Sequence, residues 1–190
     1  MRSVRTTTLS ALATTALLAG LALAPVTAQP DDEAADVVTD WNVNALGAIS
    51  ASGAAPTLGS ALMGMVHGAV YDAVVSIAGG YEPYLGEVEA DPDASKVAAA
   101  AAAAHGVLDG LFPDQSADLQ ALLDASLADV SDGLAKEAGI AVGEAAATAM
   151  LAAREGDGRG EPNPLTWDDG PGDHRPTPPA FAEYVDAGIA

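Results

Sequence analysis

"ASKVAAAAAAAHGVLDGL" spans residues 94–111 and contains a run of seven consecutive alanines, Ala98 to Ala104. Alanine has the highest helix propensity of all residues, because its side chain loses no rotamer freedom in a helix. Aromatic residues make up 4% of the whole chain, and runs of β-branched residues are missing. The sequence therefore predicts an all-α fold, a helical bundle of about five helices, with this segment as the third helix.

The other four helices are predicted from apolar residues at helical spacing. The first runs from about Ala34 to Ser52, and the second runs from Pro56 to about Ile77. The fourth begins at Pro113, because a proline in the first turn loses no hydrogen bond. The fifth runs from about Gly133 to Arg154, and Asp132 is predicted to be its N-cap.

The first 28 residues have the pattern of a secretory signal peptide. A basic start is followed by the uncharged apolar stretch Leu9 to Ala24, and Val26 and Ala28 are the small residues that a signal peptidase requires. We therefore expect a signal peptide over residues 1–28 and a secreted mature protein. The alternative is an anchor helix that remains uncleaved.

The mature chain is strongly acidic. Cleavage after Ala28 leaves 162 residues with 5 basic and 27 acidic side chains. Such a surface repels nucleic acid and anionic lipid, which excludes both as partners and predicts no membrane association after cleavage. The chain has no cysteine, so the hydrophobic core must hold the fold without disulfides. Residues 29–155 are predicted to form one helical domain.

The character of the sequence changes after Glu155. Residues 156–190 are rich in Gly, Pro and Asp and show no helical period, apart from "AFAEYVDAGIA" at 180–190, which could restart a helix. They are predicted to be a Gly/Pro-rich, irregular, linker-like tail that leads to a missing C-terminal domain.

The second helix contains a histidine, a tyrosine and an aspartate within "MVHGAVYDAV" (65–74). His67 and Tyr71 lie four residues apart on one side, whereas Asp72 lies about 140° around the helix from His67. A general base needs its orienting partner within hydrogen-bond reach, and this helix alone does not supply one. His67 and Tyr71 are therefore interpreted as satisfied polar groups at a helix contact.

The same helix is long enough to be considered as a membrane span. Asp72 opposes this alternative, because a carboxylate well inside a span costs about 2.5–3.5 kcal/mol. Ala61, Gly64 and Gly68 form a face of small residues, which another helix can approach closely.

Four segments, found in the same order along the chain, resemble the N-terminal half of bacterial vanadium-dependent haloperoxidase-like proteins, which are relatives of the type 2 phosphatidic acid phosphatases. The segments are "WNVNAL" (41–46), "ALMGMVHGAVYDAV" (61–74), "AAAAHGVLDGLFPDQ" (101–115) and "RPTPPAF" (175–181). His174 departs from the pattern, since the family tends to carry an aromatic residue before the last segment. The resemblance implies two packed helical bundles, of which the later half binds vanadate or phosphate and the earlier half is mainly scaffold.

The family's anion site requires a lysine followed seven residues later by an arginine, then Pro-Ser-Gly-His, then Ser-Arg with a histidine beyond. In this chain Ala103 lies seven residues after Lys96, and Gly143 lies seven residues after Lys136. The other two motifs are missing as well. No catalytic, cofactor-binding or metal-binding residue of the family can therefore be assigned here, and no cofactor is expected in this chain.

The charges agree with the motif search. Holding a vanadate or phosphate trianion takes several converging cations and N–H donors. The mature chain has five cations, which lie in separate segments amid many carboxylates: Lys96, Lys136, Arg154, Arg159 and Arg175.

Metal sites have weak support in the sequence. His67, His105 and His174 show no paired ligand spacing, which argues against zinc. "DGRGEPN" (157–163) and "WDDGPGD" (167–173) carry scattered carboxylates but lack the alternating ligands and closing glutamate of a calcium loop. His105 is interpreted as a packed or half-exposed helix residue. Trp41 and Trp167 are interpreted as packing anchors.

Two functions remain open. The first is a secreted N-terminal scaffold domain of a haloperoxidase/acid-phosphatase-like protein, inactive as this chain, whose partner is a missing C-terminal catalytic half or a second copy. The second is a self-sufficient, secreted, acidic helical binding or interaction module.

Overall fold

The computed structural model describes residues 32–86, 88–159, 170–171 and 178–179, with side chains from Val37 onward. The described residues do not include the predicted signal peptide, most of the predicted tail with the possible helix at 180–190, or most of the two acidic loops at 157–163 and 167–173. Trp167, His174 and Arg175 also lie outside them, and the interpretations placed on these three residues stay predictions.

The described residues form five α-helices and contain no strand, which confirms the predicted all-α helical bundle. A 3₁₀ turn, Pro113–Gln115, joins the third helix to the fourth. The helices are α1 (Asp32–Ala51), α2 (Pro56–Ala78), α3 (Lys96–Leu111), α4 (Ser116–Ala128) and α5 (Leu134–Ala153).

The predicted helix boundaries hold within a few residues, with two corrections. Pro113 opens the 3₁₀ turn, not the first turn of α4. Asp132 is not the N-cap of α5: that position is taken by Gly133, whose φ of 146° is rarely adopted by other residues. Because Gly133 is the N-cap, Asp132 lies one residue outside the helix. Its carboxylate there pairs with the Lys136 ammonium at 3.0 Å.

α3 is the central helix of the bundle. It packs against all four other helices, and its whole alanine run is buried together with Val107 and Leu108. Ser95 caps its start, because its hydroxyl accepts a hydrogen bond from the Ala98 amide at 3.2 Å. The seven alanines thus serve as contact surface on several sides, in addition to favouring the helix.

α3 and α5 run parallel and approach each other very closely. A Cβ added at Gly143 would lie 2.7 Å from the Ala102 Cβ and 2.8 Å from the Ala103 nitrogen. A Cβ added at Gly106 would lie 2.7 Å from the Ala147 Cβ. Glycine and alanine at these crossing points therefore set the distance between the two backbones.

One backbone hydrogen bond fixes the register of this pair. The Ser95 amide, just before α3, donates to the Ala135 carbonyl in the first turn of α5 at 2.8 Å. The bond thereby satisfies the Ser95 amide, one of the N–H groups at the start of α3 that have no intrahelical partner.

Among the described residues, α2 alone is long and apolar enough, by length and composition, to cross a membrane. Half of its most apolar window is buried inside the bundle, between α1, α3 and α5. That is the position of a core helix.

We expect Gly143→Ala to lower the free energy of unfolding by about 1–3 kcal/mol, the usual cost of overpacking, although alanine is the better helix former. The added methyl group meets the α3 backbone, which cannot rotate away. Gly64→Ala is the matched control, because a Cβ at Gly64 meets nothing within 4 Å. It should stabilise the helix by up to about 1 kcal/mol. Thermal or urea unfolding of both variants checks this, and equal effects would contradict the close α3–α5 contact.

Candidate functional site

Asp72 is buried, with 3% of its surface exposed, and it holds the loop that follows α2. Its carboxylate accepts hydrogen bonds from the Tyr84 amide at 2.5 Å and from the Leu85 amide at 3.0 Å. One turn further along, the Ser76 hydroxyl accepts from the Val88 amide at 3.2 Å. The aspartate therefore anchors backbone and satisfies two amides that have no helix or sheet partner.

His67 and Tyr71 make separate contacts on the surface of α2. The His67 Nε2 lies 3.1 Å from the Asn42 Oδ1 on α1, and the Tyr71 hydroxyl donates to the Glu82 carbonyl at 3.0 Å. No hydrogen bond joins any two of His67, Tyr71 and Asp72 in the described structure. His67 instead links α2 to α1, whereas Tyr71 and Asp72 both link α2 to the loop that follows it.

His105 lies on α3 beneath Trp41 of α1. The two rings meet edge to face, with centroids 6.2 Å apart and planes at 82°. Trp41 is buried, and its Nε1 donates to the Ser126 hydroxyl of α4 at 3.1 Å. Trp41 is thus a packing anchor, as expected, and it connects three helices through one side chain.

Asp109, which the sequence reasoning missed, lies one turn after His105. The Asp109 Oδ1 and the His105 Nε2 are both buried without a hydrogen-bond partner in the protein. The signal that could have found the pair is the i, i+4 spacing of a histidine and an aspartate on an otherwise apolar helix.

Two arginines converge on one carboxylate at the end of α5. The Arg154 Nε lies 2.8 Å from the Asp157 Oδ2, and the Arg159 Nε lies 3.0 Å from the Asp157 Oδ1. The pKa of Asp157 is held below its ordinary value of 3.8, mainly by the hydrogen bond from the Arg159 amide and further by the two guanidinium charges. The carboxylate therefore stays ionised and occupies both cations.

The described lysines and arginines do not gather around one space. Lys136, at the start of α5, donates to Asp132 at 3.0 Å and to the Val130 carbonyl at 3.2 Å. Arg154 lies 18 residues further along, which is about 27 Å along the helix axis. Lys96 starts α3 and lies at the same end of the bundle as Lys136.

Several depressions on the described surface offer room for a ligand or partner. The largest of these, of about 710 Å³, lies between the starts of α1, α3 and α5 and the end of α4. One of about 480 Å³ lies between the end of α2 and the loop that follows it. One of about 340 Å³ lies between α1 and α4, and one of about 230 Å³ lies beside Gly64. Within the part of the chain that the structure describes, no three His, Asp or Glu side chains cluster as metal ligands would.

Comparison with protein-family models, curated proteins and solved structures finds no match to this chain.

We expect Asp72→Asn to lower the free energy of unfolding by about 1.5–3 kcal/mol, because it removes a charged acceptor from two backbone amides. Hydrogen exchange of the Tyr84 and Leu85 amides should accelerate in the same variant. Tyr71→Phe is the control on the same loop: it removes an exposed hydrogen bond and should cost about 1 kcal/mol or less. If Asp72→Asn changed neither stability nor the exchange of these amides, the anchoring role would be wrong.

Proposed function

We propose that this chain is a non-catalytic helical scaffold domain of a secreted, vanadium-dependent haloperoxidase-like protein, and that the anion-binding and catalytic residues belong to another part of that protein. The observation that carries the proposal is the set of partners that the polar side chains bind. In the described structure, those that the sequence singled out on α2 bind the chain's own helices and loops.

The arrangement of possible acids and bases supports a scaffold role. General acid–base catalysis needs a donor and its orienting partner within about 2.6–3.2 Å and access to a substrate. Asp72 faces two backbone amides, and His67 contacts an asparagine on the neighbouring helix. The His105 Nε2 and the Asp109 Oδ1 are both buried, so neither atom can contact a substrate in this conformation.

The positions of the lysine and arginine side chains also support a scaffold role. A vanadate or phosphate ion requires several cations aimed at one point. Arg154 and Arg159 share Asp157, and Lys136 is bound to Asp132 and to a backbone carbonyl. Moving these cations onto an anion would break contacts that hold the ends of α5.

The packing of α5 favours a second candidate, the self-sufficient binding module. Its glycine face, at Gly139 and Gly143, is filled by α3 of the same chain and needs no helix from another part of the protein. The small-residue face of α2 is different: Gly68 is covered by Met150 and Tyr84, whereas Gly64 remains open. The core is therefore closed around α3, and part of α2 is left accessible.

We expect the chain from Gln29 to Ala190 to catalyse neither bromide peroxidation nor phosphate-ester hydrolysis, with or without added vanadate. Vanadate binding, followed by ⁵¹V NMR, should also be undetectable at millimolar vanadate. The reason is that Lys136, Arg154 and Arg159 are bound to carboxylates and carbonyls of the chain itself. Turnover that disappears in His67→Ala or His105→Ala would contradict the scaffold role, and saturable vanadate binding that disappears in Arg154→Gln would contradict the argument from charge.

A further inference from the structure

An open groove runs between α1 and α4. Both helices pack against α3 but make few contacts with each other. The hydrogen bond between Trp41 and Ser126 joins them at the floor. We call this depression the α1–α4 groove; it has a volume of about 340 Å³ and is lined by Asp40, Val43, Asn44, Leu122, Ala125, Ser126 and Asp129.

Apolar side chains are exposed in and beside the groove. Val43 is 62% exposed, Leu46 on the same helix is 51% exposed, and Leu122 on the opposite wall is 37% exposed. Val43 and Leu122 line the same depression, and Leu46 lies one turn after Val43 on α1. Large exposed apolar side chains that share one depression are typical of sites that other molecules cover.

The groove continues into the 710 Å³ cavity at the end of the bundle. The two depressions share Asp40, Ser126 and Asp129 in their walls. Together they form a channel bounded by α1 on one side and α4 on the other. An elongated ligand, such as a helix, fits such a shape better than a compact one does.

The walls of the groove carry negative charge without compensation from their own helices. Neither α1 nor α4 contains a lysine, an arginine or a histidine. Asp40 and Asp129 line the groove itself. Lys136, at the edge of the adjoining cavity, is bound to Asp132 and Val130. The groove therefore presents apolar contacts flanked by carboxylates.

A second copy of this chain does not complement that surface. The chain has a net charge of −20, and repulsion between two acidic faces opposes their association. Among the described helices, α3 and α5 each contain a single lysine and the others contain no lysine or arginine. None of the five described helices of another copy therefore offers an apolar stripe with cations on both sides.

We propose that the α1–α4 groove binds an amphipathic, cationic helix of another polypeptide. Its apolar residues, at positions i, i+3 or i+4, and i+7, pack on Val43, Leu46 and Leu122. Its lysines or arginines, at the edges of that stripe, pair with Asp40 and Asp129. The inference rests on the proposed scaffold function and deepens it, because it names the surface and the chemistry of the partner.

The test uses three fluorescent peptides of about 18 residues, or five helical turns. The first is an amphipathic Leu/Lys helix, the second has glutamate in place of every lysine, and the third has the lysine peptide's composition in scrambled order. Fluorescence anisotropy with the chain from Gln29 to Ala190 should show saturable one-to-one binding of the first peptide. The scrambled peptide should bind at least about tenfold more weakly, and the glutamate peptide should not bind.

Matched variants locate the site. Val43→Ser/Leu122→Ser should weaken binding about tenfold, whereas Leu134→Ser, at a leucine that is 84% exposed outside the groove, should not change it. Asp40→Asn/Asp129→Asn should weaken binding more than Asp93→Asn/Asp124→Asn, which removes the same charge elsewhere. All these positions are exposed, so the variants should keep the wild-type melting temperature within a few degrees.

Three results would overturn the inference: no saturable binding of the lysine peptide, equal binding of the scrambled peptide, or equal losses in the groove variants and their controls. Self-association that disappears in Val43→Ser/Leu122→Ser would also overturn it, by assigning the groove to a second copy. The scaffold proposal fails separately, through catalysis or vanadate binding, since neither readout involves the peptides.

Discussion

The close approach of α3 and α5 is the contact on which the rest of the structure depends. Each alanine or glycine buries little apolar area. Their contribution to the stability of the fold therefore depends on many short dispersion contacts between two backbones that nearly touch. Because α3 is this thin, α1, α2 and α4 can all reach it as well, and one helix of 16 residues organises the whole bundle. Larger side chains on α3 would separate the surrounding helices and leave spaces between them.

Much of this fold follows from the sequence, because helix formation is local. The alanine run, the proline at the start of α2 and the apolar spacing place all five helices within a few residues. The partner of the α5 glycines could not be predicted: nothing local shows that Gly143 faces Ala99 and Ala102 of α3 rather than a helix of another domain. The displacement of Asp132 depends on a single backbone angle at Gly133, which composition does not reveal.

The candidate site was predictable only in part, for the same reason. A helical wheel separates Asp72 from His67 and Tyr71, and the structure gives the three residues different partners. The role of Asp72 as a loop anchor depends on how residues 79–86 return to α2, which is a tertiary property. The α1–α4 groove likewise exists because both helices are held by α3 and not by each other. Acidic composition suggests a cationic partner in general, but only the fold identifies a surface for it.

Native-state hydrogen exchange tests the central claim most directly. If α3 is the enclosed helix around which the bundle assembles, its amides from Ala99 to Val107 should exchange only through global unfolding, with the highest protection in the chain. The amides of α4, which has two buried side chains, should exchange through smaller, local openings. Protection of α3 equal to or lower than that of α4 would contradict the account, because a helix at the centre of the packing cannot open before a helix at its edge.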